Sequence, residues 1–199
     1  MSPIIAGILE VVSQCLYDEI KLDPSPRNLR YSFFEVPVGG RDDDSDPIKT
    51  FLQTNLYDPG ALPVPNRFIA TRLNALYLHD SVPVRLHETN LYGKTLITFL
   101  VNQKVYWEGP AWLCASPFAL LGTPKDELPR LKQDYGIEWE RIGATLQMPA
   151  NDVAPDGYKG GVIIDRQQRF EVTANIDADS SQGLDLAIHL DGNLLRAVM

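Results

Sequence analysis

Residues 94–102 read KTLITFLVN, and this stretch decides the fold more clearly than any other. Its side chains alternate in two sets: Leu96, Thr98 and Leu100 against Ile97, Phe99 and Val101. Successive side chains of a strand point to opposite faces of the sheet. Because both sets are largely apolar, the pattern predicts a central strand.

Further strand patterns lie on both sides of this stretch. They cover residues 29–37, 67–79, 161–164, 169–176 and 184–190. Alternation slips within 67–79, which predicts a β-bulge. Asp191-Gly192-Asn193 is a tight-turn signal, and 194–198 is predicted to return as the partner strand of a hairpin. About eight short strands with Pro- and Gly-rich connections predict an all-β fold, an antiparallel β-sandwich formed by one domain over residues 23–199.

The N-terminal segment, residues 1–22, has a different pattern. Apolar side chains recur at spacings of three and four: Ile4, Ile5, Ile8, Leu9, Val12, Cys15 and Leu16. Ser2 suits a helix cap and Pro3 suits a first helical position. The segment is therefore predicted to form an amphipathic N-terminal helix over 3–20, joined to the sandwich through Pro24 and Pro26.

This helix would present an apolar stripe that must be covered. The candidate subunit-contact residues are Ile4, Ile8, Leu9 and Val12. Three interpretations stay open: packing on the chain's own core, docking on a neighbouring chain, and an interfacial membrane helix. The polar face lacks the Lys and Arg that anionic lipid would favour.

Composition narrows the classes of function. Apolar residues make up 44% of the 199, which is enough for a sizeable core. The formal net charge of −8 disfavours direct nucleic-acid binding. The N-terminus lacks the cationic region of a signal peptide, and no apolar run is long enough for a transmembrane helix. Cys15 and Cys114 lie in apolar runs and are expected to be small buried side chains, although a disulfide between them stays open.

Catalytic and metal-binding patterns are not found. His79, His87 and His189 have no ligand-type spacing. Asp42, Asp44 and Asp46 resemble the start of a calcium loop, but Pro47 and Gln53 occupy the positions that need Gly and Glu. We therefore expect that the protein is not an enzyme and binds no metal and no cofactor. Weak, incidental Ca²⁺ binding at subunit contacts stays open. The loop at 41–46 is expected to be exposed.

Aromatic residues give a second interpretation of the sandwich. Tyr106, Trp107 and Trp112 cluster around Gly109-Pro110. Exposed aromatic rings could form a sugar-stacking platform, whereas buried ones would belong to the core or to a subunit contact. A carbohydrate-binding or other interaction module is thus the alternative to an assembly protein.

Several spaced segments together carry a family resemblance. They are Thr54-Asn55-Leu56, Gly60–Pro65, Phe68, Gly93, Leu96–Val101, Lys104-Val105-Tyr106, Gly109–Trp112, Leu184-Asp185-Leu186, Leu190-Asp191-Gly192 and Arg196. Their order resembles the jelly-roll coat proteins of tailless icosahedral bacterial viruses, over residues 50–115 and 160–199. The resemblance consists of turns and strand ends and includes no catalytic signature.

The resemblance implies a jelly-roll-like sandwich that works as a virion capsid subunit. Its expected partners are copies of itself and other coat proteins in a symmetric shell. Proximity to a membrane inside the shell stays open.

Overall fold

The structure is a computed structural model that describes residues 9–41, 47–86, 88–115, 133, 161–179 and 183–197. Strands contribute far more of these residues than helices do. Two short helical elements have both ends described: a single turn of α-helix, α1 (Leu91–Lys94), and a 3₁₀ turn at Ala111–Cys114; the isolated described residue Gln133 is also helical. No helix within the described ranges is long and apolar enough to span a membrane.

Two antiparallel sheets form a β-sandwich. The first sheet has the order β1 (Leu9–Lys21), β9 (Asp185–Ala197), β3 (Arg67–His79) and β4 (Val82–Pro83). In that sheet β7 (Val162–Ile164) pairs with the opposite end of β3. The second sheet has the order β2 (Leu29–Phe33), β8 (Phe170–Ile176), β5 (Thr95–Val101) and β6 (Lys104–Pro110).

The pairing follows one rule when the two-residue strand β4 is left aside. The first strand pairs with the last, as β1 pairs with β9, and β2 pairs with β8. The same nesting continues inward, because β3 pairs with β7 and β5 with β6. The chain thus folds back on itself as one long hairpin that is wrapped into two sheets. Within the first sheet the pairs β1–β9 and β3–β7 are joined by β9–β3 pairing, and within the second sheet the pairs β2–β8 and β5–β6 are joined by β8–β5 pairing.

The core lies between the sheets, where alternate side chains from both meet. Leu16, Leu73 and Leu190 enter from the first sheet, and Phe99 and Val172 enter from the second. At about 25 cal/mol per Å² of apolar surface, burial of these side chains is the main stabilising contribution.

The prediction of a helix over 3–20 is wrong for its described part. Residues 9–21 form β1, which pairs with β9 along its whole length from Leu9 to Lys21. The apolar positions 12, 16 and 20 are four apart. Residues at this spacing share one face of a helix, and they also share one face of a strand. Pairing with β9 selects the strand, whose inner face buries Leu16 and Ile20.

The predicted hairpin at Asp191-Gly192 is also wrong. β9 continues through both residues and pairs with β1 on one side and β3 on the other. Glycine is needed here because the β3 backbone passes close by: a Cβ at position 192 would clash with the Ile69 carbonyl oxygen. A glycine in a strand marks such an approach as readily as a turn.

Two other strand predictions are confirmed. β5 is central in its sheet, since it pairs with both β6 and β8. The irregularity in 67–79 is a bulge, because the β3–β9 register shifts between Ala70 and Arg72. The strand predicted over 29–37 ends earlier, at Phe33, because Phe34 has a φ of 70° and leaves the extended conformation.

Candidate functional site

A projecting segment, residues 48–57, carries a group of exposed apolar side chains that stands out among the described residues. Four of its large apolar side chains are solvent-exposed: Ile48 by 49%, Phe51 by 70%, Leu52 by 74% and Tyr57 by 76%. Single exposed apolar residues are ordinary on a protein surface, whereas a group of them on one short segment marks an interaction site.

Hydrogen bonds hold the projecting segment against the edge of β1. The Glu19 amide donates to the Gln53 carbonyl at 2.8 Å, and the Asn55 amide donates to the Tyr17 carbonyl at 3.3 Å. The Asn55 side chain accepts from the Tyr17 amide and donates to the Cys15 carbonyl. The Tyr17 hydroxyl donates to the Phe51 carbonyl. The exposed apolar side chains therefore stand on a fixed backbone.

A buried ion pair with a β1 residue anchors the same segment to the body of the protein. Lys49 Nζ lies 2.9 Å from Asp18 Oδ1, and the two side chains are only 3% and 0% exposed. The other Asp18 oxygen accepts a hydrogen bond from the Phe34 amide at 2.7 Å. Buried charges require this kind of pairing and hydrogen bonding. The pair joins β1, the end of β2 and the projecting segment at one point.

The projecting segment presents no exposed charge. Lys49 is its only charged residue, and that side chain is buried against Asp18. Thr54 and Leu56 are also buried, at 0% and 2% exposure, and face the body of the protein. The segment therefore has an anchoring side and an uncharged apolar side.

A second surface feature is a recess of about 510 Å³ at one end of the second sheet. Its lining includes Leu96 and Pro110 from the outer face of the sheet and Leu29 from the core-facing row, where it stands opposite Ile176; Leu29 and Leu96 are 39% and 40% exposed. Lys94 and Asp177 line it together with the apolar residues. It lies where β2 and β5 begin and where β8 ends.

A larger polar cleft of about 840 Å³ lies at the other end of that sheet. Arg30, Glu171 and Asn102 are among its lining residues. Glu171 accepts a 2.9 Å hydrogen bond from Ser32 and lies 3.4 Å from Arg30. The polar side chains of the cleft are therefore already partly engaged with one another, and both signs of charge are present.

The outer face of the first sheet brings Cys15, Asp191 and His189 near one another through strand register. Cys15 stands opposite Asp191, and Tyr17 stands opposite His189. Burial and the neighbouring Asp191 raise the pKa of the Cys15 thiol to about 12, so this thiol is un-ionised and a poor nucleophile at neutral pH. Burial lowers the pKa of His189.

Asp191 itself accepts a hydrogen bond from Asn74 at 2.8 Å. In the part of the chain that the structure describes, no three His, Cys, Asp or Glu side chains converge as a metal site requires. His79 lies 3.7 Å from Asp80 and also interacts electrostatically with Asp185, and His87 lies outside the described residues. Asp42, Asp44 and Asp46 lie outside them too.

Both cysteines are free, so the disulfide left open by the sequence is not formed. Cys114 is buried as expected, and burial raises its thiol pKa to about 12. Cys15 is only half-buried, because it belongs to the outer face of β1.

The predicted subunit-contact residues are only partly described. Ile4 and Ile8 lie outside the described residues, and for Leu9 the structure gives the backbone position at the start of β1. Val12 is half-buried and lies on the same face of β1 as Leu16. These residues thus stand on a strand and not on a helical stripe wherever they are described.

The tryptophans do not form an exposed platform among the described residues. Trp112 is 7% exposed, and Trp107 is partly buried and packs against the core. Tyr106 lies 6.5 Å from Phe99, ring centre to ring centre. This placement favours the core interpretation of these aromatic residues over the sugar-stacking one.

Comparison with protein-family models, with curated proteins and with solved structures finds no match to this chain.

Sequence analysis missed the projecting segment. Phe51 and Leu52 lie between an acidic loop and the turn at Asp58-Pro59-Gly60, where strand alternation is absent. The available signal was the presence of large apolar side chains in a stretch that has loop signals on both sides. Such a stretch can equally be a core-facing loop, and only the tertiary structure shows that these side chains point outward.

Proposed function

We propose that this chain is a structural virion protein, a jelly-roll capsid subunit that assembles with copies of itself into an icosahedral shell. The observation that carries the proposal is the projecting segment, which holds Phe51 and Leu52 in solvent on an anchored backbone. Aromatic and large aliphatic side chains presented in this way are typical of protein interfaces.

The strand order supports the jelly-roll part of the proposal. A jelly roll is a long antiparallel hairpin wrapped so that its first strand pairs with its last and its second with its second-last. The pairs β1–β9, β2–β8, β3–β7 and β5–β6 follow that order. Viral capsid domains are one of the classes that use this architecture, together with lectins and cupins.

The net charge argues against nucleic-acid binding as the function. The chain carries a net charge of −8, which repels phosphate backbones. The same charge opposes association of two copies except through uncharged surfaces, and the projecting segment is such a surface.

The experiment that tests the proposal is light scattering of the purified full chain over a concentration series, followed by negative-stain electron microscopy. The expected result is a mass well above the 22.2 kDa of one chain, with closed particles or rings in the images. A mass of one chain at every concentration up to the solubility limit contradicts the proposal.

A second candidate function, binding of a carbohydrate or similar polar ligand, is favoured by the polar cleft. Arg30, Asn102 and Glu171 supply donors and acceptors there. Titration calorimetry with soluble oligosaccharides tests it: saturable heat that disappears in Arg30→Ala supports this function, and heat unchanged by Arg30→Ala assigns the binding to another surface.

A further inference from the structure

We propose that the polar cleft binds a neutral oligosaccharide and that Gln103 and Gln167 are side chains that bind its hydroxyl groups. This inference rests on the second candidate function, carbohydrate binding at the cleft, and names the class of sugar and two residues that select it. It does not depend on self-assembly. Both glutamines line the cleft, and both hold the backbone at a positive φ, 67° at Gln103 and 68° at Gln167.

Gln103 occupies a turn position where glycine is usual. Val101 pairs with Lys104, so Asn102 and Gln103 form a two-residue hairpin loop between β5 and β6. Both loop residues have a positive φ, which is typical of a type I′ turn with the sequence Asn-Gly. Asn102 fits this turn, and its side-chain oxygen accepts a 3.1 Å hydrogen bond from the Arg169 amide. The turn geometry alone does not explain a glutamine at the second position.

Gln167 presents the same departure in the turn between β7 and β8. The Gln168 amide donates to the Asp165 carbonyl at 3.0 Å and closes a four-residue turn, in which Gln167 is the third residue. A positive φ at this position favours glycine or asparagine, because the left-handed conformation costs free energy in a residue with a Cβ. Two turns that are distant in sequence thus carry glutamine at a strained position, and both border one cleft. Strain of this kind concentrates at functional sites.

Backbone hydrogen bonds fix the shape of the cleft. The Asn102 amide donates to the Arg169 carbonyl at 2.8 Å, in addition to the bond that the Asn102 side chain accepts. On the other side, the Gly60 amide donates to the Phe34 carbonyl at 2.6 Å, and the Phe170 amide donates to the Gly60 carbonyl at 2.8 Å. A site that is already formed loses less conformational entropy when a ligand binds.

The cleft has hydrogen-bonding groups available to a ligand. Four of its side chains make no hydrogen bond or ion pair with other described residues: Glu35, Gln103, Gln167 and Arg169. Amide and guanidinium groups donate hydrogen bonds, and amide oxygens and carboxylates accept them. A sugar hydroxyl does both. The mixture of groups therefore suits a ligand with many hydroxyl groups.

The charges of the cleft favour a neutral sugar. Two guanidinium groups, Arg30 and Arg169, line it together with two carboxylates, Glu35 and Glu171. Arg30 lies 3.4 Å from Glu171, so these two charges offset each other. An acidic sugar would meet the carboxylates as well as the guanidinium groups, and like charges repel. The cleft volume of about 840 Å³ lies within the roughly 300–1,000 Å³ of pockets that enclose a small ligand.

The test measures sugar binding by the full chain, by Gln103→Gly, by Gln167→Gly and by their double variant. An array of immobilised neutral and acidic oligosaccharides first identifies a sugar that binds. Titration calorimetry with that sugar in soluble form then gives the Kd of each variant, and urea unfolding gives its stability. The matched control is Ser81→Gly. Ser81 has a φ of 64° and is the second residue of the β3–β4 hairpin loop, the same turn position as Gln103, and it lies outside the cleft.

We expect a neutral sugar to bind and each glutamine variant to raise its Kd about fivefold, because each loses a hydrogen bond to the ligand. The double variant should raise the Kd about 25-fold, and the control should stay within about twofold of the natural chain. The urea midpoints of the glutamine variants and of the control should be no lower than that of the natural chain, since glycine adopts a positive φ without a steric penalty. Weaker binding without loss of stability distinguishes a binding side chain from a structural one.

The outcomes separate this inference from the functions already proposed. If a sugar binds and the glutamine variants bind it as well as the natural chain does, the inference is wrong, and loss of binding in Arg30→Ala would still support the cleft as a carbohydrate site. A lower urea midpoint in the glutamine variants would show that these side chains stabilise the fold, which also contradicts the inference. Preference for acidic sugars overturns the assignment of a neutral ligand. If no sugar on the array binds, carbohydrate binding and this inference both fail, while self-assembly is unaffected.

Discussion

Replacing Lys49 by methionine should destabilise the fold strongly, because it removes the cation that pairs with the buried Asp18 carboxylate. The Lys49 and Asp18 side chains are 3% and 0% exposed, with 2.9 Å between nitrogen and oxygen. At an effective dielectric constant of about 20, the attraction across this distance is ~6 kcal/mol, and the lost hydration of the two ions offsets part of it. Removing one partner of a buried pair costs about 3–5 kcal/mol, and we expect Lys49→Met to fall in that range.

Urea unfolding followed by circular dichroism measures this loss. Lys21→Met is the matched control, because Lys21 lies on β1 near Asp18 but is exposed, and its replacement should change the free energy of unfolding by about 0.5 kcal/mol or less. The double variant Asp18→Asn with Lys49→Met should recover part of the loss, since it removes the buried negative charge together with the cation that pairs with it, while the asparagine oxygen can still accept from the Phe34 amide.

A loss below about 1 kcal/mol for Lys49→Met would refute the reasoning. It would mean that water reaches the pair and that the projecting segment is not anchored by it. A double variant less stable than Lys49→Met alone would show that Asp18 contributes through its hydrogen bond more than through its charge.

Three further predictions concern the core, the close strand approach and the thiols. Phe99→Ala should lose about 3–5 kcal/mol in urea unfolding because the side chain is fully buried, whereas Leu96→Ala on the same strand should lose about 1 kcal/mol or less. Gly192→Ala should lower the free energy of unfolding by about 3 kcal/mol, because the added Cβ meets the Ile69 carbonyl. The control Gly183→Ala, which has open space around it, should change the free energy of unfolding by about 0.5 kcal/mol or less. An equal effect of the two substitutions would contradict the close approach at Gly192. Because the folded protein holds both cysteine thiols protonated to about pH 12, stability should be unaffected by them below pH 9.0 and should fall as the pH rises from 9.0 towards 12, by less in Cys114→Ala.

Much of the architecture could be predicted from local pattern. The alternation in β5 identified a central strand, and the slip in β3 identified its bulge, because both features depend on which side chains fit a pleated surface. β7 and β8 were predicted within a residue or so of their bounds. These strands have both strong alternation and clear turn residues beside them.

The errors arose where one pattern fits two structures. Apolar positions four apart in β1 suit a helix and a strand equally, and Asp191-Gly192 suits a turn and a close strand approach equally. In both cases the partner strand decides, and it lies far away in sequence. β1 and β9 are at opposite ends of the chain, so no local window contains the information.

The candidate site was harder still to predict. Lys49 looks like an ordinary loop lysine until Asp18, 31 positions earlier, is placed beneath it. Phe51 and Leu52 look like side chains for a core until the anchored backbone turns them outward.

Residue alternation and turn residues act over a few neighbouring positions, and they were enough to predict a chain of mostly strands in two antiparallel layers. Only the tertiary structure decided which strands pair, where β1 and β9 run without a break, and which apolar side chains remain exposed. Those features depend on contacts between residues distant in sequence, where the free energy of burial and of hydrogen bonding belongs to the pair and not to either segment alone.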